Sequence, residues 1–159
     1  MAVQVVRLAV TAADLEAAYR IRHVVFVDEQ GVPVELERDD RDPTADHLLA
    51  LEDDVPVGAG RLVIEDPGFE GLALDLGPLG HLGRLAVLTS ARGSGLGAAL
   101  VHAIEHRAVS RGLRAVYLGA QTPVVPFYER LGYVAFGAEF DDAGLQHRRM
   151  WRELDFVHR

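Results

Sequence analysis

Residues 84–98 read Arg84-Leu-Ala-Val-Leu-Thr-Ser-Ala-Arg92-Gly-Ser-Gly95-Leu-Gly97-Ala98, an apolar run that leads into a glycine-rich turn and then a helical pattern. Glycine lets the backbone turn tightly and approach a ligand without a Cβ in the way. The first N–H groups of the following helix have no partner within it, and together with the helix dipole they favour a phosphate. Arg92 adds a fixed positive charge and a fork of donors. The junction therefore predicts an anion-binding loop.

Three kinds of phosphate loop share this chemistry. A P-loop requires Gly-x-x-x-x-Gly-Lys-Ser/Thr, and it is excluded because the chain contains no lysine. The dinucleotide pattern is formally met by Gly93, Gly95 and Ala98, but it expects an acidic residue roughly 20 positions later. The next predicted strand ends instead in Gly-Ala-Gln121. The third pattern, Arg-x-x-Gly-x-Gly beginning at Arg92, fits best, and a turn that binds nothing remains the alternative.

Length and composition indicate one domain spanning residues 1–159, which is long enough for a full hydrophobic core. The chain has no cysteine, so disulfides, zinc–thiolate sites and a cysteine nucleophile are excluded. No apolar run reaches the ~18 residues that a membrane span needs. The beginning of the sequence also lacks a signal-peptide pattern. We therefore expect a cytoplasmic protein without a membrane partner.

The net charge of −8 argues against nucleic acid as a partner, because such binding depends on neutralising phosphates. An acidic surface suits a cationic amine. Eight charged residues lie close together within residues 35–46, and we interpret this stretch as a solvated loop. Its carboxylates show no defined ligand spacing, so we expect no metal site.

The pattern of apolar residues predicts an α/β (α+β) fold in the order β-α-β-β-β-α-β-α-β-β. A capping box at Thr11 and Asp14 begins a helix that ends near Gly31. Residues 66–80 are predicted to form a loop. The predicted strands are residues 3–10, 47–52, 55–65, 82–88, 114–120, 133–140 and 147–154, and the later helices are residues 96–111 and 124–131.

A second motif, Pro126-Phe-Tyr128-Glu-Arg-Leu-Gly132-Tyr133, places an aromatic pair on a short helix that exits into a strand. A phenol with a pKa near 10 is a proton donor at neutral pH and roughly matches a thiol leaving group. The alternative interpretation is that the two aromatic side chains belong to the core.

Together the two motifs resemble the GNAT superfamily of acyl-CoA N-acyltransferases, whose loop reads Arg-x-x-Gly-x-Gly and whose short helix carries Phe-Tyr-x-x-x-Gly-Phe/Tyr. Further stretches are similar to its ElaA-like branch: Ile21-Arg22-His-Val-Val-Phe-Val-Asp-Glu29-Gln30, Asp46-His47-Leu-Leu, Gly83-Arg84-Leu-Ala-Val, Leu118-Gly-Ala-Gln121 and residues 140–150. Two departures concern the acceptor side. Residues 145–147 read Leu-Gln-His where the branch has Ile-Pro-His, and Thr122-Pro123 replaces its histidine.

The resemblance implies a mostly antiparallel mixed sheet that is splayed between strands 4 and 5, with acetyl-CoA in the splay. A backbone N–H near Ala86 or Val87 would polarise the thioester carbonyl, and Tyr128 would protonate the departing thiolate. The implied acetyl-CoA contacts are Leu85, Ala86, Val87, Arg92, Gly93, Ser94, Gly95, Leu96, Gly97, Ala98, Gln121, Phe127 and Tyr128.

The resemblance further implies direct N-acetyl transfer to a small-molecule or peptide amine by a monomer or homodimer. A neutral amine must attack, so a base or a water chain is required. The candidate bases are Glu29, His47 and His147, and each also has a purely structural interpretation, as a helix-end carboxylate or as a satisfied strand histidine. A module that binds acyl-CoA without turnover, as a sensor or interaction domain, is the alternative function.

Overall fold

One mixed sheet organises the computed structural model, which describes residues 2–66 and 76–154. The strand order is β1-β2-β3-β4-β5-β7-β6, and every neighbouring pair is antiparallel except β4 and β5. The predicted order of elements and the mixed sheet are therefore confirmed. The strands of this described part are β1 Gln4–Leu8, β2 Asp46–Glu52, β3 Val55–Glu65, β4 Leu79–Val87, β5 Ala115–Gln121, β6 Val134–Asp142 and β7 Leu145–Glu153.

The splay predicted between the fourth and fifth strands is present. β4 and β5 pair only at Gly80 with Val116 and at His81 with Tyr117. From there the two strands diverge, so their carboxyl-terminal halves face each other across a gap. Parallel neighbours require a long crossover connection, and helix α3, Leu96–Ser110, supplies it.

The first helical stretch begins and ends as predicted but changes type on the way. Thr11 and Asp14 form the capping box of α1, Ala12–Arg22. The chain then continues as a π-helix, His23–Glu29, and Gly31 leaves it with a φ of +74°. The sequence pattern did not reveal the π-helix, because i+3 and i+4 apolar spacing does not distinguish hydrogen bonds to i+4 from those to i+5.

Helix α3 packs on one face of the sheet through the predicted fourfold series. Leu96, Leu100, Ile104 and Ala108 are all buried, and Gly112 follows with a φ of +80°. Helix α1 packs on the opposite face. Two shorter helices complete the described part, α2 Val34–Glu37 and α4 Val125–Arg130. None of the described helices is long and apolar enough to cross a bilayer.

The acidic segment of residues 35–46 is not the solvated loop that the charge pattern predicted. Glu37 and Asp42 are 4% and 5% exposed. Arg22, itself 1% exposed, donates from Nε to Glu37 over 2.8 Å and from Nη1 to Asp42 over 2.8 Å. The prediction was wrong because the neutralising guanidinium comes from α1, and a linear charge count cannot show that pairing.

Some boundaries also differ from the prediction. Strand β4 begins at Leu79, within the predicted loop of residues 66–80, and β7 begins at Leu145, two residues before its predicted start. The central part of that loop, residues 67–75, lies outside the described residues. The DPT segment of residues 42–44 forms a 3₁₀ turn.

Candidate active site

A cavity of about 380 Å³ occupies the splay. It is surrounded by the end of the π-helix, the strands β4 and β5, helix α4 and the β6–β7 turn. Four of the site residues predicted from sequence line it: Leu85, Gln121, Tyr128 and His147. The fold therefore brings together residues from four separate regions of the chain.

A β-bulge shapes the β4 wall of this cavity. Ala86 pairs with Ala59 and Gly83 pairs with Arg61, so Arg84 and Leu85 both stand opposite Gly60. Arg84 has a φ of +49°, a conformation that is costly for a side chain with a Cβ. A bulge leaves one residue out of the ladder and bends the strand, which turns β4 away from β5 at this point.

Beyond the bulge, Val87 exposes its backbone to the splay. The N–H of Leu88 donates to the carbonyl of Val57 over 2.8 Å, which makes this a hydrogen-bonded pair. Hydrogen-bonded and non-hydrogen-bonded pairs alternate along an antiparallel ladder. Val87, opposite Gly58, therefore directs its N–H and carbonyl away from β3 and toward the open edge, whereas Ala86 directs its own toward β3.

The glycine-rich turn ends at an uncapped helix terminus. Gly93 and Gly95 have φ values of +81° and +86°, and Gly95 is the N-cap residue of α3 without a side-chain cap. The Ser94 hydroxyl does not cap the helix, because it donates to the carbonyl of Ala91 over 2.6 Å. Among the described residues, no side chain therefore accepts from the N–H groups of the first α3 turn, which includes Leu96 and Ala98.

Helix α4 packs directly on this terminus. A Cβ on Gly97 would lie 3.4 Å from Cζ of Phe127, so the ring of Phe127 rests against the first turn of α3. Phe127 and Tyr128 are in edge-to-face contact, with ring centroids 5.0 Å apart. The aromatic pair thus joins the glycine turn to the cavity.

Tyr128 lies at the cavity with its ring buried and 6% of the residue exposed. Burial raises the pKa of its hydroxyl above the usual value, so the phenol is protonated at neutral pH. Within the described residues the hydroxyl has no hydrogen-bond partner, and the ring packs edge-to-face on Tyr133. Tyr128 is therefore a neutral donor at the wall of the cavity.

His147 lies on the other face of the sheet. A Cβ on Gly119 would stand 4.0 Å from Cδ2 of His147 and 3.1 Å from Cζ of Phe140. Leu118, one position along β5, instead belongs to the core cluster that contains Tyr128. Because side chains alternate between the faces of a strand, Tyr128 and His147 approach the splay from opposite sides.

The tautomer of neutral His147 follows from one contact. Its Nδ1 lies 2.8 Å from the carbonyl oxygen of Leu145. A carbonyl oxygen only accepts hydrogen bonds, so Nδ1 carries the proton and Nε2 keeps a lone pair. The neutral form of His147 therefore has an acceptor nitrogen at Nε2.

The other two candidate bases lie elsewhere. His47 is buried next to a separate cavity of about 170 Å³. Its Nε2 lies 2.9 Å from the carbonyl oxygen of Asp42, and its ring meets Tyr19 edge-on. The carboxylate of Glu29 accepts two hydrogen bonds from Nη2 of Arg92, at 2.9 and 3.0 Å. The structure therefore brings Glu29 to the glycine turn and keeps His47 away from the splay.

Two side-chain links join the end of the π-helix to both edges of the splay. One is the ion pair of Glu29 with Arg92, whose Nε also donates to the carbonyl of Val87 over 2.8 Å. The other is the hydrogen bond from Nε2 of Gln121 to Oε1 of Gln30, over 2.9 Å. Arg92, predicted to bind an anion, is thus held beside the turn by a carboxylate.

Sequence reasoning missed several cavity residues as candidate site residues. Arg61 and Arg84 line the β3 and β4 wall, and the stacked rings of His81 and Tyr117, 4.4 Å apart, lie where β4 and β5 pair. Arg149 lines the β7 wall and lies over the Phe140 ring at 4.5 Å. For Arg61 and Arg84 the available signal was an arginine inside a mainly apolar strand, because arginine is seldom buried without a partner.

Comparison with known proteins agrees with this geometry. Residues 15–154 match the model of the acetyltransferase (GNAT) domain family. The uncharacterized N-acetyltransferase YjcF of Bacillus subtilis is 38% identical over 141 residues, which cover 88% of this chain and 93% of that protein. An acyl-CoA N-acyltransferase structure from Pseudomonas aeruginosa superposes with a TM-score of 0.77 at 30% identity, covering 96% and 99% of the two chains. Escherichia coli ElaA gives a TM-score of 0.75 at 25% identity, covering 96% and 100%. The chain therefore belongs to the GNAT acetyltransferase family.

Proposed function

We propose that this protein transfers an acetyl group from acetyl-CoA directly to the primary amine of a small molecule or peptide. The observation that carries the proposal is the pair of groups on opposite faces of one splay, the neutral hydroxyl of Tyr128 and the imidazole of His147, whose Nδ1 contacts the Leu145 carbonyl. Direct transfer needs both an acid for the leaving thiolate and a base for the attacking amine.

In this proposal the acyl donor lies along β4 and the start of α3. The open-edge N–H of Val87 donates to the thioester carbonyl, where negative charge develops as the carbonyl becomes tetrahedral. The first turn of α3 receives the pyrophosphate on its uncapped N–H groups. Gly93 and Gly95 hold the turn in a conformation that residues with a Cβ rarely adopt.

The proposed step forms one C–N bond and breaks one C–S bond. The amine nitrogen attacks the thioester carbon, and His147 Nε2 takes the proton that the nitrogen loses. Collapse of the tetrahedral intermediate expels the CoA thiolate, which takes a proton from Tyr128. The products are an N-acetyl amide and CoA, and proton exchange with water restores both side chains.

The test is steady-state release of CoA thiol from acetyl-CoA with a panel of primary amines and short peptides, with mass spectrometry of the products. We expect an increase of 42 Da in at least one acceptor, the mass of an acetyl group in place of hydrogen. Micromolar binding of acetyl-CoA by calorimetry without turnover of any acceptor would favour the alternative, a non-catalytic acyl-CoA-binding module.

A further inference from the structure

The wall of the cavity formed by β3, β4 and α2 carries two arginines that the proposed acetyl transfer does not use. Arg61 is 5% exposed and Arg84 is partly exposed, and both line the cavity. Three carboxylates hold them. Arg61 donates to Asp39 over 2.7 Å and to Asp42 over 2.9 Å. Arg84 donates to Asp39 over 3.2 Å, and its Nε lies 3.4 Å from Oε2 of Glu37.

These carboxylates do not accept from every N–H donor of the two guanidinium groups. Nε of Arg61 is buried and has no hydrogen-bond partner among the described residues. Arg84 uses Nε and Nη2 toward the segment of residues 36–39, and its Nη1 has no acceptor in the same described part. A buried donor without a partner is costly, so Arg61 would gain from another acceptor, and Arg84 has a donor left to share in binding one.

The compensating carboxylates lie mostly behind the arginines. Asp39 and Asp42 are not part of the cavity wall. Glu37 is part of the wall, but it already binds Arg22 over 2.8 Å. Burial, followed by the charges of Arg61 and Arg22, lowers the pKa of Arg84 below its ordinary value. The balance around Arg84 therefore opposes its charge, and an incoming anion would relieve this.

We infer that the acceptor is a small amino carboxylate, whose carboxylate binds Arg84 and Arg61 while its amine faces His147 on the opposite wall. This inference rests on the proposed function and names its substrate class. Arginine suits the role because its planar fork matches the two oxygens of a carboxylate. The cavity volume of about 380 Å³ favours a small molecule over a folded protein.

The opposite interpretation, an acceptor with a second cationic group, has weaker support. Among the described residues of the cavity wall the carboxylates are Glu37 and Asp142, and the guanidinium groups are those of Arg61, Arg84 and Arg149. Glu37 is engaged as described, and Asp142 lies at the β6–β7 turn beside the wall that carries His147. Asp142 is thus placed to attract the reacting ammonium rather than a second one.

The test uses matched triplets of acceptors with one skeleton: L-leucine, L-leucinamide and isoamylamine, then L-phenylalanine, L-phenylalaninamide and phenethylamine. Thiol release is measured at saturating acetyl-CoA, and kcat/KM is referred to the neutral-amine concentration, which corrects for the different protonated fractions of the three amines. We expect the carboxylate to be favoured over the amide and the plain amine by on the order of tenfold to a hundredfold, as for hydrogen bonds between charged groups. Equal values, or a preference for the amide, would overturn the inference.

Variants link the preference to the arginine wall. Arg84→Gln should bring the carboxylate-to-amide ratio close to one, and Arg84→Lys should leave an intermediate ratio because it keeps charge without the fork. Arg148→Gln is the matched control, since Arg148 neighbours Arg149 but donates to the carbonyl of Gly137 on β6, and its ratio should equal that of the wild type. A preference that persists in Arg84→Gln with an unchanged melting temperature would contradict the assignment.

The same ligands separate this inference from the proposed function. If no amine is acetylated, the proposed acetyl transfer fails, and calorimetry of each triplet with the CoA-bound wild-type protein decides the inference. Tighter binding of the carboxylate supports it, and equal binding of the three ligands overturns it. If the plain amines are acetylated with the same kcat/KM as the amino carboxylates, the proposed function stands and the inference is wrong. The comparison within each triplet needs only wild-type protein, so a variant that fails to fold does not block the test.

Discussion

At the scale of single residues, Tyr128 and His147 differ in the kind of proton chemistry that their surroundings allow. Burial raises the pKa of Tyr128 and keeps it protonated. The contact of His147 Nδ1 with the Leu145 carbonyl directs the lone pair of the neutral ring to Nε2. One residue is therefore a donor and the other an acceptor, and each role can be removed by a substitution that keeps much of the side-chain volume.

Tyr128→Phe removes the hydroxyl and keeps the ring that packs on Phe127 and Tyr133. We expect kcat to fall by roughly 10²–10⁴, the usual scale of general acid catalysis, with the low end favoured because a thiolate leaves readily. The fall should appear equally in kcat/KM, since the interaction is made in the transition state. Steady-state kinetics with calorimetric acetyl-CoA affinity check this. Wild-type kcat under conditions where chemistry limits the rate would remove the role, and a large loss of melting temperature would indicate a core aromatic.

His147→Gln and His47→Gln form a contrasting pair. The first should lower kcat/KM by about 10² or more with a modest change in melting temperature. The second should lower the melting temperature, because His47 is buried against Tyr19 and the Asp42 carbonyl, with little effect on kcat per folded molecule. Thermal unfolding and single-turnover kinetics on both variants measure this. The reverse pattern would assign the base to His47.

At the scale of elements, the end of the π-helix is linked to the glycine turn through Glu29 and Arg92. A π-helical turn inserted in a helix is uncommon and is often found at functional sites. Here it carries Glu29 to Arg92 and Gln30 to Gln121, so one element holds both edges of the splay. A pyrophosphate at Arg92 would compete with the Glu29 carboxylate, which already accepts from Nη2.

This competition leads to opposite expectations for the two partners. Arg92→Gln should weaken CoA binding by about 1–2 kcal/mol, the low end for a charged hydrogen bond because the site is exposed. Glu29→Gln should strengthen it severalfold by releasing Arg92. Calorimetry on both single variants and the double variant measures the coupling. If Glu29→Gln leaves CoA affinity unchanged and instead lowers kcat by two orders of magnitude, Glu29 acts as a base.

At the scale of the whole molecule, a buried ion network joins helix α1, the acidic segment and the strands β3 and β4. Arg22 and Arg61 both donate to Asp42. Desolvation opposes ionisation of Asp42. The hydrogen bond and positive charge of Arg22, together with hydrogen bonds from the Asp39 N–H and Arg61, outweigh the desolvation and lower the pKa of Asp42. The network thus ties the β3 and β4 wall of the cavity to the rest of the fold.

Acid should therefore unfold this protein through the network. A carboxyl with a lowered pKa in the folded state stabilises above its unfolded value of about 4, and this stability is lost as the pH falls below that value. Asp42→Asn should cost about 3–5 kcal/mol at neutral pH because it removes the negative charge that the buried Arg22 and Arg61 share. It should also flatten the dependence of unfolding free energy on pH below about 4. Urea unfolding from pH 7 to pH 2.5 measures both effects. Asp40→Asn, an exposed acid of the same segment, should match the wild type, and an equal loss in both variants would argue against the network.

The amino-acid sequence by itself determined the elements and the local chemistry of this protein. Glycines at 93, 95 and 97 before a helical run predict an uncapped anion-binding turn, because backbone freedom and free N–H groups are local properties. Apolar periodicity likewise predicted the order of strands and helices. The Phe-Tyr motif predicted Tyr128 as a site residue, and Tyr128 lines the cavity.

Only the tertiary structure decided which of the candidates meet. His147 and His47 have similar positions near strand starts, yet one lines the splay and the other packs under α1. The partners of Arg22, Arg61 and Arg84 come from a segment whose charge pattern predicts a solvated loop. Local patterns cannot show ion pairs between residues that are 15 to 47 positions apart. The sequence did not predict the bulge at Arg84 for the same reason, because the register between two strands depends on both of them. This non-local pairing opens the cavity.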